Sequence, residues 1–385
     1  MIISQKMIHN ICIYGIFFVI LHAKCVHGVM NSIEIKGYKS IKNQTIQLRP
    51  INILIGANGS GKSNLLSFFT FVRNMYVRNL QAFVSLNGGM DAFLFQGRKV
   101  TEQMYAKLDF STNAYSFILS AGQDKFIVTE ENLWYEHNPY FPNAHNIASF
   151  AGESKLQYNT TPRAEYIRQY LRELQKYHFH DTGEKSPFTN VSNIETGVHF
   201  LYPRGENIAA FLYGISKNNA IVYNRIVRTI QSVAPYFHDF LLKPDSEGNI
   251  ALQWEDKFGV VYGVHDLSDG TIRFIALTTL FLQPQLPQTI IIDEPELGLH
   301  PFAIAKLAGM IKSASQRGCQ VIAATQSTDL IGHFEPEDIL TVDQVNGESV
   351  YNRLSAEQLG EWLDDYTLDD LWKRNIITGG QPNND

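Results

Sequence analysis

Cysteine is scarce: Cys12, Cys25 and Cys319 are the three in 385 residues, and no CxxC or His/Cys cluster occurs. A disulfide scaffold, a zinc finger and a zinc hook are thereby excluded. Charge of one sign is also missing. Lys and Arg number 32 against 38 Asp and Glu, a formal charge of −6, which excludes a wholly basic nucleic-acid coat but leaves room for a local basic patch. The apolar run from Ile11 to Ala23 stops at about 13 residues, short of the roughly 20 that a membrane-spanning helix needs. No heptad pattern persists for three or four repeats and no internal repeat is present, so long coiled-coil arms are excluded. What the chain has in quantity is apolar and aromatic material: 44% hydrophobic residues, with 24 Phe, 18 Tyr and 4 Trp. Such a composition argues against disorder. The length suggests two to three domains, or one core carrying a large insertion, and a core of that size folds without staples.

Residues 1–29 form an N-terminal extension with three competing readings. Met30 is followed at once by an amphipathic strand pattern, which favours Met30 as the effective start of the folded chain. An export signal and a membrane-surface anchor are the alternatives. From Ser32 the residues alternate as strands, and Ile51-Asn52-Ile53-Leu54-Ile55, bounded by Pro50 and Gly56, has the pattern of a central buried strand. Helical spacing begins at Lys62. Alternating stretches between Tyr105 and Tyr135 predict an antiparallel β lobe. Helices are expected from Arg163 to Lys176, from Tyr223 to Val233 and from Pro301 to Ser315. Buried strands are expected at Gln288–Asp293 and Gln320–Ala324. Parallel strands joined by helices imply an α/β sheet.

Gly56-Ala57-Asn58-Gly59-Ser60-Gly61-Lys62-Ser63 matches the phosphate-loop pattern G-x-x-x-x-G-K-[ST] at every fixed position. Its glycines let backbone N–H groups turn inward around phosphates, and the helix that follows aims its positive end at the same anion. These eight residues, with Asn64, are the candidate nucleotide-binding set. Lys62 is placed to reach the β/γ-phosphates and Ser63 to ligate Mg²⁺. Thr289-Ile290-Ile291-Ile292-Asp293-Glu294 is an apolar strand ending in two acids. Asp293 at the tip can hold the metal, and Glu294 can activate the attacking water. Upstream, Ser268 and Gly270 in Leu267-Ser268-Asp269-Gly270-Thr271 open a helix, which by itself reads as an ordinary N-cap.

The order of these segments is that of ABC-type ATPases, and the segments resemble theirs. Leu267–Thr271 resembles the LSGGQ signature, with Asp269 at its first Gly and Thr271 at its Gln. Asp293-Glu294-Pro295-Glu296-Leu297-Gly298-Leu299-His300-Pro301 resembles the Walker B and D-loop of the RecF, OLD and SMC-like branch. Ser32 to Ser40 resembles the opening segment of the same branch. The chain is similar to stand-alone bacterial ABC-like proteins called "AAA family ATPase", related to the ATPase half of OLD nucleases. The resemblance implies ATP and Mg²⁺ as ligands and a homodimer with composite sites, in which Ser268 and Gly270 close over the nucleotide of the opposite subunit. It also implies a role in DNA repair or phage defence, with DNA or a nuclease-like effector as possible partners. A cytoplasmic location is expected, with no stable membrane partner; an ABC transporter subunit is the class set aside. Gln326, in Ala324-Thr325-Gln326-Ser327, stands where the family carries a switch His, and Gln96 is a positional candidate for the metal-contacting Q-loop glutamine.

The expected architecture is an α/β P-loop NTPase of ABC/SMC-head type, with an antiparallel β lobe and a mostly helical insertion. Residues 30–136 and 263–385 would form the two parts of the head and 137–262 the insertion. Within the insertion, His178 and His180 read better as a loop or half-buried histidine pair than as a metal site, since no second ligand cluster accompanies them. Arg168, Arg172 and Lys176 fall at i, i+4 and i+8, a phosphate track or, with Glu165 and Glu173 nearby, a solvated ion-paired face. The acidic, aromatic tail around Trp362 and Trp372 is expected to dock on the core or a partner. No nuclease constellation follows the acidic strand. Besides an active ATPase, the residues allow a nucleotide-gated switch with little turnover that binds DNA or an effector.

Overall fold

The computed structural model describes residues 29–135, 144–183 and 185–377. The extension with its Ile11–Ala23 stretch lies outside the described residues. Two six-stranded sheets organise the chain. The first is an antiparallel lobe in the order Ile41–Gln47, Ser32–Tyr38, Gln103–Phe110, Asn113–Ala121, Phe126–Tyr135, His145–Ala148. The second runs Glu348–Arg353, Ile339–Val345, Ile51–Ile55, Gln320–Ala324, Thr289–Asp293, Gln175–Tyr177. Its strands are parallel except for the outermost Glu348–Arg353. Continuous Ile, Val and Ala runs suit this sheet because both of its faces are covered.

Alternation along the central strands divides the core in two. Ile291, Ile322, Leu54 and Leu340 join the helix Lys62–Tyr76 and the antiparallel lobe in one apolar cluster. Ile290, Ile292, Val321 and Ile53 face the opposite cluster, made with the helices Ile208–Asn218, Ala220–Gln231, Asp269–Leu282 and Pro301–Gln316. The helix Lys62–Tyr76 is thus clamped between the sheets. Tyr38 packs its ring on Phe68 and Phe71 at 5.3 and 5.6 Å, which locks the Gly37–Ser40 turn beside the helix start.

Two expectations change. The helix expected from Arg163 to Lys176 is Pro162–Glu173, with Thr161 as its N-cap and Pro162 in its first turn. After Leu174 the chain turns extended, and Lys176 sits in an edge strand, so the three cations share no helix face. Arg168 instead pairs with Glu165 and donates to the carbonyls of Gln157 and Asn159. Helical spacing alone could not foresee this, because parallel pairing with Ile290–Ile292 overrides local propensity. The same strand, together with His145–Ala148 in the lobe, shows that the segment 137–262 contributes to both sheets. In the tail, Leu368 and Leu371 are buried and the helix Leu368–Lys373 lies against Thr328–Ile331. Among the described residues no helix is long and apolar enough to cross a membrane.

Candidate functional site

Register places the key strand ends level with one another. Leu54 pairs with Ala324, and Ala324 with Asp293. The loop that starts at Gly56 is therefore one intervening strand from Asp293, about 10 Å between strand axes at ordinary sheet spacing. The loop backbone is held from behind by residues that the motif does not contain. Ser349 Oγ lies 2.6 Å from the Ser60 carbonyl and 2.7 Å from Ser40 Oγ, and the Tyr351 hydroxyl donates to the Gly61 carbonyl at 2.9 Å. Asn64 donates to Ser40 Oγ at 2.6 Å. Gly61 has φ of 116°, and a Cβ there would meet Ser349 Oγ at 2.0 Å, so only glycine fits this fold of the loop. Asn58, Gly59 and Ser63 are exposed at its rim, whereas Ser60 and Lys62 are buried.

The Lys62 ammonium donates to the carbonyls of Gly56 and Ala57 at 2.5 and 3.0 Å. Burial pulls its pKa below the ordinary lysine value, and the nearby Glu294 and Asp293 carboxylates oppose that shift. Lysine and acids thus share one electrostatic environment. Glu294 takes a positive φ of 40°, its N–H donating to the Ala324 carbonyl at 2.7 Å. Its Oε1 accepts from Gln326 Nε2 at 2.6 Å. The candidate base and the candidate switch residue are in direct contact. Glu296 is buried behind them and accepts from Thr325 Oγ1, while its other carboxylate oxygen has no partner. Burial raises its pKa above the ordinary carboxylate value.

Asp293 is flanked from the edge strand. Its Oδ2 is 3.1 Å from Lys176 Nζ, and its carbonyl is 2.8 Å from His180 Nε2. Gln96 follows the short turn Met90–Ala92. It is exposed, with φ of 54°, on the wall of a cleft of about 840 Å³ with Lys39, Asp91 and Arg98. No hydrogen bond joins it to Ser63 or Asp293. The side chains brought to the acidic strand tip are Lys176 and His180, which the sequence gives no periodic reason to place there. Helical spacing carries Lys176, whereas the structure puts it in the edge strand and leaves His180 just beyond that strand's end. Parallel pairing of Gln175–Tyr177 beside the acidic strand was the missing signal.

Ser268 caps the helix Asp269–Leu282 and is exposed, its Oγ 2.9 Å from Thr271 Oγ1. Gly270 rests against the segment after Glu294, where a Cβ would meet the Gly298 carbonyl at 2.4 Å. One turn along, Arg273 donates to the carbonyls of Leu297 at 2.7 Å, His180 at 2.9 Å and Phe179 at 3.3 Å. A single guanidinium thus ties the Ser268 helix to both loops that flank Asp293 and Glu294.

The residues fit a nucleotide with its metal. Ser60 Oγ is buried without a partner inside the loop, and the exposed Ser63 hydroxyl with the Asp293 carboxylate offers the hard oxygen donors that Mg²⁺ takes. Among the described residues no group of three or more His, Cys, Asp or Glu side chains is arranged to hold a metal. A metal at this place would therefore draw further ligands from phosphate and water, as Mg²⁺ commonly does.

A family described as "AAA domain, putative AbiEii toxin, Type IV TA system" matches residues 51–332. The Old nuclease of Escherichia phage P2 is 21% identical over 374 residues, 86% of this chain and 62% of its own length. The energy-coupling factor transporter ATP-binding protein EcfA2 of Lactobacillus delbrueckii subsp. bulgaricus is 26% identical over 137 residues, covering 34% of this chain and 46% of the relative. The chain thus spans less than two thirds of either relative. Among solved structures, an Smc head bound to the C-winged helix domain of ScpA matches with a TM-score of 0.56 at 16% identity, covering 86% of this chain and 98% of the other. An Smc head with an extended coiled coil, bound to the C-terminal domain of ScpA derived from Pyrococcus furiosus, gives 0.52 at 16% identity, covering 88% and 99%.

Proposed function

The chain belongs to that AAA-domain family and has the P-loop fold of ABC and SMC heads, and from this premise we propose that it binds and hydrolyses ATP as a homodimer. The observation that carries the reading is the convergence in one protomer of Lys62 with Asp293 and Glu294, the latter bonded to Gln326. Ser268 is left exposed at a helix start, as a group meant for another subunit's nucleotide would be.

In this reading the loop N–H groups and Lys62 hold the triphosphate and stabilise charge as the β–γ bond breaks. Mg²⁺ at Ser63 and Asp293 would supply electrostatic stabilisation of the phosphates. Glu294 orients and deprotonates the attacking water. Gln326 fixes the Glu294 carboxylate through its amide, but an amide cannot change charge near neutral pH as a switch histidine can. Ser268 and Gly270 of a second copy close over the γ-phosphate, so ATP favours the dimer and hydrolysis releases it. We place this cycle in the cytoplasm, in DNA repair or phage defence, with DNA or a nuclease-like effector as the output partner. Similarity to the phage protein supports that placement; the nuclease activity in its name is not carried over to this chain.

The 2.6 Å contact between Gln326 and Glu294 also favours a second reading, a nucleotide-gated switch that turns over slowly. Steady-state phosphate release with and without DNA separates the two. For the ATPase, Lys62→Ala abolishes nucleotide binding, and Glu294→Gln yields an ATP-loaded dimer by size-exclusion chromatography with light scattering. Hydrolysis by Glu294→Gln at the unmutated rate would remove Glu294 as the base.

A further inference from the structure

The edge strand beside Asp293 contains three residues, Gln175 to Tyr177. A lysine on so short an edge strand can extend its ammonium into water, as lysines there usually do. Lys176 instead places Nζ 3.1 Å from Asp293 Oδ2, with the two side chains only 24% and 19% exposed. The pair is thus partly withdrawn from solvent. Lys62 feels Asp293 and Glu294, while Lys39, held on Ser67 Oγ at 3.0 Å, feels the charge of Lys176. Two ammonium groups, Lys62 and Lys176, therefore face the two carboxylates at the mouth of the phosphate loop, and Lys39 stands behind Lys176. One of the two, Lys176, lies on a carboxylate oxygen of Asp293, the candidate metal ligand.

We propose that Lys176 is a resident counter-ion at the metal position, which a divalent cation must displace from Asp293 when it arrives with a triphosphate. The inference rests on the ATP reading of the site and goes beyond it, because it assigns a residue outside the family motifs. The physical basis is competition. Asp293 beside Glu294 would otherwise be a part-buried pair of anions open to metal alone, and Lys176 neutralises one of them. Mg²⁺ dehydrates reluctantly and is generally held by one or two carboxylates together with phosphates. Its double charge wins Asp293 once phosphate oxygens complete its shell, and those same oxygens give the released ammonium a new anionic partner. The lysine thereby couples metal entry to nucleotide entry.

The test is a Mg²⁺ titration of the full chain with N-methylanthraniloyl-ATP, read by fluorescence, for the wild type, Lys176→Met and Lys176→Arg. A parallel titration with Mn²⁺ alone, read by electron paramagnetic resonance, reports metal binding without nucleotide. In Lys176→Met the Mg²⁺ concentration at half-saturation falls by roughly five-fold, the factor set by an ion pair of about 1 kcal/mol, and Mn²⁺ binds without nucleotide. Lys176→Arg, which keeps the charge, stays near the wild type in both titrations. An unchanged or raised half-saturation point in Lys176→Met, with labelled nucleotide still bound, overturns the counter-ion role and leaves the ATP reading intact. Absence of labelled-nucleotide binding in the wild type at any Mg²⁺ concentration overturns the ATP reading and the inference with it.

Discussion

Arg273 is the residue whose removal should be felt most widely, because it joins three segments through one side chain. Its two short hydrogen bonds reach the carbonyls of Leu297 and His180 at 2.7 and 2.9 Å, and the third, to Phe179, is longer at 3.3 Å. A bond from a charged donor contributes about 1.5 kcal/mol or somewhat more. Arg273→Ala is therefore expected to cost roughly 3 kcal/mol, counting the two short bonds and neglecting the third. The same damage can be reached from the other side. Gly298 has φ of 75°, and a Cβ there would lie 2.7 Å from Arg273 Nη1. Gly298→Ala thus pushes the guanidinium off the Leu297 carbonyl, and the strained φ adds about 1 kcal/mol. Since both changes break one shared bond, their effects should fall short of additive by about 1.5 kcal/mol in a double-mutant cycle. The assay is urea unfolding followed by tryptophan fluorescence. ATP turnover measured in parallel should drop in each single variant, because Glu294 depends on its neighbours to hold a positive φ. Strict additivity, or an Arg273→Ala protein as stable as the parent, would refute the clamp.

Two smaller predictions concern residues buried behind the site. Ser349→Ala removes the hydroxyl beside the Ser60 carbonyl and should weaken labelled-ATP binding by about ten-fold, the effect of roughly 1.4 kcal/mol lost from loop support; unaltered affinity would show that the loop holds its shape unaided. Glu296 has a pKa raised by burial, so its carboxyl favours folding when protonated. That stability is fully present below the unfolded value of about 4.5 and is lost as pH rises through the folded value. Glu296→Gln should accordingly raise the unfolding midpoint at pH 8 more than at pH 4, and an equal shift at both values would contradict the sign.

The parts of this molecule that were legible in the sequence are those where one local rule decides the outcome. Ile51–Ile55 and Thr289–Asp293 are apolar runs closed by Gly56 and by acids, and they lie parallel in one sheet on either side of Gln320–Ala324. Helical spacing from Lys62 returns as the helix Lys62–Tyr76, with Leu65, Leu66, Phe69 and Val72 buried. What escaped local reading depends on pairings between distant segments. Ser349 and Tyr351 support the phosphate loop from nearly 300 residues away in sequence, on a strand whose own pattern announces nothing about nucleotides. Lys176 has helical spacing in the sequence because Arg168 and Arg172 precede it at the right interval.

What local reading misses concentrates beside the acidic strand. The position next to Asp293 is awarded by strand order. The segment that pairs with Ile290–Ile292 is Gln175–Tyr177, and the residues it carries to the strand tip are a lysine and a histidine. A glutamine at that place could offer a metal only a neutral oxygen. Lys176 offers a positive charge to Asp293 itself. The charge paired with Asp293 is therefore set by a three-residue edge strand, whose identity becomes readable only once its partner in the sheet is known.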